Sequence, residues 1–160
     1  REQREQVGEL AFYRTQPSSG VVSRLPVVNQ LAVVSKLERR LAEVIPEVKP
    51  DLLHAHSPVL NGLAALRAAR RFSLPLVYEV RAFWEDAAVD HGTGSEGGLR
   101  YRLTRALETH VLKHASAVTT ICAGLREDIV ARGVPEERVT VIPNAVGGRI
   151  VARQYRCVRG

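Results

Sequence analysis

Short apolar runs rich in β-branched residues alternate with amphipathic segments of helical period along most of this chain, and no other feature limits the fold as tightly. Leu10–Tyr13, Asp51–His56, Leu76–Val80, Ala117–Ile121 and Arg138–Ile142 read as strands. Val27, Leu31, Val34, Leu37, Leu41 and Val44 recur at three- and four-residue steps opposite a charged face of Lys36, Glu38, Arg39, Arg40 and Glu43. Pro46 and Pro50 are expected to stop that helix. Ser57 is expected to cap a second helix, with Pro58 at its first position and Leu60, Leu63, Ala64, Leu66 and Ala68 on its apolar side. A third helix is expected from Leu99 to His114, with Leu99, Leu103, Leu107 and Val111 on one stripe. A fourth is marked by Leu125, Ile129 and Val130 and closed by Gly133 and Pro135. The strands are short and continuously apolar, as in a parallel sheet covered on both faces. The expected fold is α/β, a Rossmann-like three-layer sandwich with a mostly parallel sheet.

Composition bounds the rest. With 160 residues, 45% hydrophobic and 25% charged, the chain has the make-up of one ordinary folded domain. No apolar run approaches the ~18 residues of a membrane span, and the charged start Arg1-Glu2-Gln3-Arg4-Glu5-Gln6 is unlike a signal peptide. There is no Met, so the sequence reads as a piece of a longer chain. The net charge is +6, but residues 147–160 carry Arg149, Arg153, Arg156 and Arg159 and no acid. A basic balance ordinarily raises nucleic acid as a partner. Here most of it sits in one short tail, and nucleic acid is not expected. Residues 1–146 therefore read as an incomplete domain and 147–160 as a basic tail, either without regular structure or the product of a truncation. Cys122 and Cys157 lack CxxC spacing, so no zinc site or disulfide framework is expected, and a reducing cytoplasmic setting is the default.

In parallel sheets of this kind, ligands gather beyond the carboxyl ends of the strands. Here those ends carry His54-Ala55-His56-Ser57, Glu79-Val80-Arg81, Cys122-Ala123 and Asn144. His54 and His56 are read as pointing to opposite faces of their strand, so no shared metal is expected. His56, at the strand end, is the ring expected to touch a ligand, with a packed structural role as the alternative. Arg81 offers a planar fork to phosphate or carboxylate oxygens. Trp84 offers a flat apolar face on which sugars and lipid chains pack. Glu85, Asp86, Asp90 and His91 are acid–base candidates in the long irregular stretch 81–98. Gly92 to Gly98 lacks the GxxxxGK[ST] pattern of a phosphate cradle and reads as a flexible lid. No GxSxG elbow is present, which removes the support for a serine hydrolase. Arg100, Arg102, Arg105 and Lys113 make one side of the third helix basic, either a solvated face or one that meets anionic lipid.

Four segments, in order, resemble glycosyltransferase family 4. Pro50-Asp51-Leu52-Leu53-His54-Ala55-His56-Ser57-Pro58 is similar to the "PDxxHxH" strand of its N-terminal domains. Leu76 to Arg81, followed by Phe83-Trp84-Glu85-Asp86, resembles an "EVRDxWP" variant. Glu108 to Ile121 resembles the helix and strand ending in "ADxVxxxS". Val139 to Val146 resembles "VxVIPNGVD". The resemblance covers roughly residues 10–146, and the Trp84 to His91 run is similar to the branch associated with exopolysaccharide and exosortase clusters.

The resemblance implies the acceptor-side N-terminal domain of a GT-B enzyme that moves a sugar from a nucleotide-sugar donor to a glycan or lipid-linked acceptor. It implies no cofactor and no required metal, with a cytoplasmic place at or near the inner face of the membrane. Carried over by position, Arg81 and Glu79 are the catalytic candidates, and His56, Ser57, Trp84, Glu85 and Asn144 are the substrate-binding ones. Arg81 stands where many members have His, and a cation there would stabilise charge on a phosphate leaving group. The family's glycine-rich first loop and donor domain are missing, and Gly147 replaces an expected Asp. The chain alone is therefore expected to be inactive, with an unpaired sheet edge and a tendency to associate. The alternative is a standalone Rossmann-like binding or partner module without catalysis.

Overall fold

The computed structural model describes residues 4–15, 26–83 and 98–144. It begins with an antiparallel hairpin, β1 (Arg4–Val7) and β2 (Leu10–Tyr13), in the register Arg4↔Tyr13 to Val7↔Leu10. The sequence suggested β2 and missed β1, whose residues are charged and exposed. Gly8 opens the two-residue turn with φ of +60°, a conformation that suits glycine at the first position of a tight hairpin loop.

α1 (Pro26–Val48) follows and packs along α2 (Val59–Phe72). It passes the expected stop at Pro46, which lies inside its last turn. Ile45 is buried there, and the helix ends at Lys49, whose φ is +49° and whose N–H meets the Ile45 carbonyl at 2.8 Å. The hairpin ties down the same turn: Tyr13 Oη donates to Glu47 Oε1 at 3.0 Å, and Arg4 pairs with that carboxylate at 2.9 Å. Anchoring of this kind offsets the backbone bond that a proline removes.

The main sheet has the strand order β3 (Leu53–His56), β4 (Leu76–Val80), β5 (Ala117–Thr120) and β6 (Val139–Val141), all parallel. α2 connects β3 to β4, α3 (Leu99–His114) precedes β5, and α4 (Ala123–Ala131) joins β5 to a 3₁₀ turn at Glu136–Arg138 and β6. This is the α/β, Rossmann-like sheet flanked by helices that the alternation predicts. The expected cap at Ser57 does not form. Pro58 takes the extended cap position without a side-chain bond, and Ser57 Oγ instead accepts the Arg81 backbone N–H at 3.3 Å. α2 ends at Ser73, in the left-handed region with φ of +54°, where Leu74 N–H returns to the Ala69 carbonyl.

One face of the sheet makes the core. Ala55, Leu76, Tyr78, Val80, Val118 and Val139 pack against Val59, Ala65, Leu66 and Ala69 of α2, Val111 and Leu112 of α3, and Ile129 of α4. Each fully buried valine, leucine or isoleucine among them is worth about 1.5–3 kcal/mol. Small residues let α2 approach closely: a Cβ on Gly62 would lie 2.7 Å from Tyr78 and 2.8 Å from Val111. On the opposite face His54, His56 and Thr140 are exposed, and Val77, Glu79, Ala117 and Thr119 are half-buried. The stripe expected on α3 is only partly used. Val111 is buried, but Leu99 is 84% and Leu103 52% exposed. No helix among the described residues is long and apolar enough to cross a membrane.

Candidate functional site

The polar groups of interest gather at the carboxyl ends of β3 and β4, on the face away from the core. Side chains two residues apart on a strand share a face, and register pairs do so across strands. His54, His56, Val77 and Glu79 therefore stand together, with His56 directly opposite Glu79. This corrects the expectation that His54 and His56 diverge. Their rings stack with centroids 4.8 Å apart and planes 17° from parallel.

Glu79 is the hub. Its Oε2 lies 3.2 Å from His54 Nε2 and 3.3 Å from His56 Nδ1, and its Oε1 accepts Arg81 Nε–H at 3.0 Å. The Glu79 side chain is 17% exposed, whereas His54, His56 and Arg81 are 43–57% exposed. A largely covered carboxylate thus holds three solvent-facing groups in place. The backbone fixes the frame: Ser57 N–H donates to the Glu79 carbonyl at 2.8 Å, and Asn61 Nδ2 donates to the His56 carbonyl at 3.3 Å. Chemically the cluster offers a guanidinium fork for phosphate or carboxylate oxygens, two imidazoles for hydroxyl groups or a cation, and a carboxylate that orients both.

His56, Ser57, Glu79 and Arg81 are brought together as the strand ends suggested. Trp84, Glu85, Asp86, Asp90, His91 and the glycine-rich stretch lie outside the described residues. Asn144 is exposed beyond β6, three strand spacings or about 14 Å from β3, and so stands apart from the cluster. Cys122 holds the cap position of α4 and is half-buried. His54, named at the strand end but read as facing away from His56, belongs beside it, as the two-residue spacing signals. Just past Arg81, buried Phe83 carries the Arg132 guanidinium 3.6 Å above its ring, a long-range contact that no local pattern announces.

A structure of UDP-N-acetylglucosamine 2-epimerase from Rickettsia bellii is similar with a TM-score of 0.48 and 17% identity. The match covers 68% of this chain and 26% of that one, so the chain spans about a quarter of that protein's length. No curated protein matches the chain. The model of the glycosyl transferase 4-like domain matches residues 1–145, nearly the whole sequence. With the parallel sheet and the ordered strand-end motifs already in place, that match settles the family: the chain belongs to the glycosyl transferase 4-like domains.

Proposed function

We propose that this chain forms the acceptor-side wall of a glycosyltransferase that moves a sugar from a nucleotide-sugar donor to a glycan or lipid-linked acceptor. The observation that carries the reading is the Glu79–Arg81 pair at the end of β4, flanked by His56 and Ser57. In the reaction, the bond from the anomeric carbon to the donor phosphate breaks and a bond to an acceptor hydroxyl oxygen forms. The hydroxyl proton leaves to a base, and negative charge grows on the departing phosphate. Glu79 fixes the Arg81 fork, whose remaining N–H donors neutralise phosphate oxygens where that charge grows. The His56 imidazole accepts or relays the hydroxyl proton. Trp84 and Glu85, shortly after Arg81 in the chain, would border the sugar, and Asn144 the far side of the crevice. With a guanidinium supplying the positive charge, the transfer needs no cofactor and no metal.

A lipid-linked acceptor would bring the protein to the cytoplasmic face of a membrane. Exposed Leu99 and Leu103 stand beside Arg102 and Arg105 on α3, a pairing of apolar and basic groups suited to anionic lipid. The test joins residues 1–145 to the donor half of another family member and measures sugar transfer. Transfer by the joined protein but not by the chain alone is expected. Glu79→Gln and Arg81→Ala should each lower kcat about a hundredfold. Transfer unchanged by both substitutions would refute the assignment.

A further inference from the structure

We infer that His54, His56 and Glu79 form a binding site for a divalent transition metal of the zinc class, built in part from His56 and Glu79, which the transfer proposed above also uses. Their ligand atoms all lie within 4.8 Å of one another. A tetrahedral site with metal–ligand bonds of about 2.0–2.1 Å has ligand–ligand edges of about 3.3–3.4 Å. The two nitrogen–oxygen separations, 3.2 and 3.3 Å, already stand at that edge length. They are longer than the ~2.7–2.9 Å of a tight charge-assisted hydrogen bond. The two ring nitrogens lie within 4.8 Å of each other, so the imidazoles need only turn toward each other to close the ligand set on an ion.

The scaffold supports this reading. His54 and His56 share one strand face, and β3–β4 pairing sets Glu79 opposite His56, so regular backbone holds all three ligands. Arg81 grips Glu79 Oε1 and leaves Oε2 toward the imidazoles, the outer hydrogen bond that orients a metal-bound carboxylate. Both rings are about half exposed, which gives an ion a path in and leaves its fourth position to water. Two imidazoles and one carboxylate favour zinc, cobalt or nickel, whereas magnesium and calcium prefer oxygen ligands throughout. The nearby guanidinium opposes a dication, so affinity should fall below that of a closed four-ligand site. A built-in comparison exists on α3, where the His110 and His114 rings lie 4.2 Å apart, tilted by 37°, but belong to no three-ligand group among the described residues.

The test titrates the chain with Co²⁺ near neutral pH and follows visible absorption, then adds Zn²⁺ or Mg²⁺ as competitors. One equivalent of Co²⁺ should give the intense bands of a tetrahedral site, displaced by Zn²⁺ and untouched by excess Mg²⁺. His54→Ala, His56→Ala and Glu79→Gln should each weaken binding at least about tenfold. Replacing both His110 and His114 by Ala should leave it unchanged. Should a variant fail to fold, NMR of the unsubstituted chain still answers, because Zn²⁺ should shift the His54 and His56 imidazole signals before those of the α3 pair. Binding that survives Glu79→Gln and His56→Ala, or that follows His110 and His114, would overturn the inference. Sugar transfer is not measured at any step, so the outcome stands apart from the transferase reading.

Discussion

Tyr78 Oη donates to Glu108 Oε1 across 2.7 Å in the middle of the core, with both residues wholly excluded from solvent. Tyr78 lies on β4, the strand that ends in Glu79, and Glu108 on α3. The bond therefore locks the helix layer to the strand that carries the site. A buried carboxylate is costly without strong donors, and the phenol supplies one. Tyr78→Phe keeps the ring and deletes the donor. It should destabilise the fold by about 1–3 kcal/mol, read as a lower urea midpoint with an unchanged slope.

Gly62 should tolerate no side chain. Alanine is about 1 kcal/mol better than glycine in a helix interior, so Gly62→Ala would stabilise an exposed helix. Here the new methyl would meet Tyr78 and Val111, both fully buried, at 2.7 and 2.8 Å. Overpacking should win, with a net loss of about 1–3 kcal/mol in thermal or urea unfolding.

Much of this was legible beforehand, because parallel strands and amphipathic helices write their periods directly into the sequence. Leu76–Val80 is a strand within its expected bounds, and Leu99–His114 a helix within its own. What escaped depends on partners distant in sequence. Glu108 sits among surface-type residues of α3, and only the fold shows that Tyr78 meets it. Arg4–Val7 becomes a strand because Leu10–Tyr13 pairs with it and Glu47 anchors both. The shared face of His54 and His56 is itself written in the sequence, since a two-residue step on a strand returns to the same face.

Stability should fall in mildly acidic solution, and His110 should contribute. Partial burial, then the charge of His114 and then that of Arg70, lower its pKa below the ordinary 6.5. The unfolded chain takes up this proton first, so the stability tied to neutral His110 is complete above 6.5. It is lost as pH falls from there through the folded-state value, and the dependence flattens below it. Urea midpoints measured across that range should change less with pH in His110→Gln. NMR titration should show His114→Gln raising the His110 midpoint. A His110 midpoint at or above 6.5 in the unsubstituted chain would contradict this.

Self-association should follow from the sheet's outer strand. Among the described residues β3 has β4 on one side only, and Leu52 beside it is 48% exposed. An outer strand of this kind is a template for pairing with another chain. Sedimentation velocity should show oligomers growing with concentration and reduced by Leu52→Lys, whereas a monomer at every concentration would argue against it.

The central claim is that His56, Ser57, Glu79 and Arg81 line the acceptor side of a sugar-transfer crevice. It is tested most directly by backbone and side-chain NMR of the chain titrated with a short-chain polyprenyl diphosphate-linked sugar. Shifts concentrated at those four residues, and weakened by Arg81→Ala, are predicted. Shifts confined to other surfaces, or none at saturating ligand, would contradict the account.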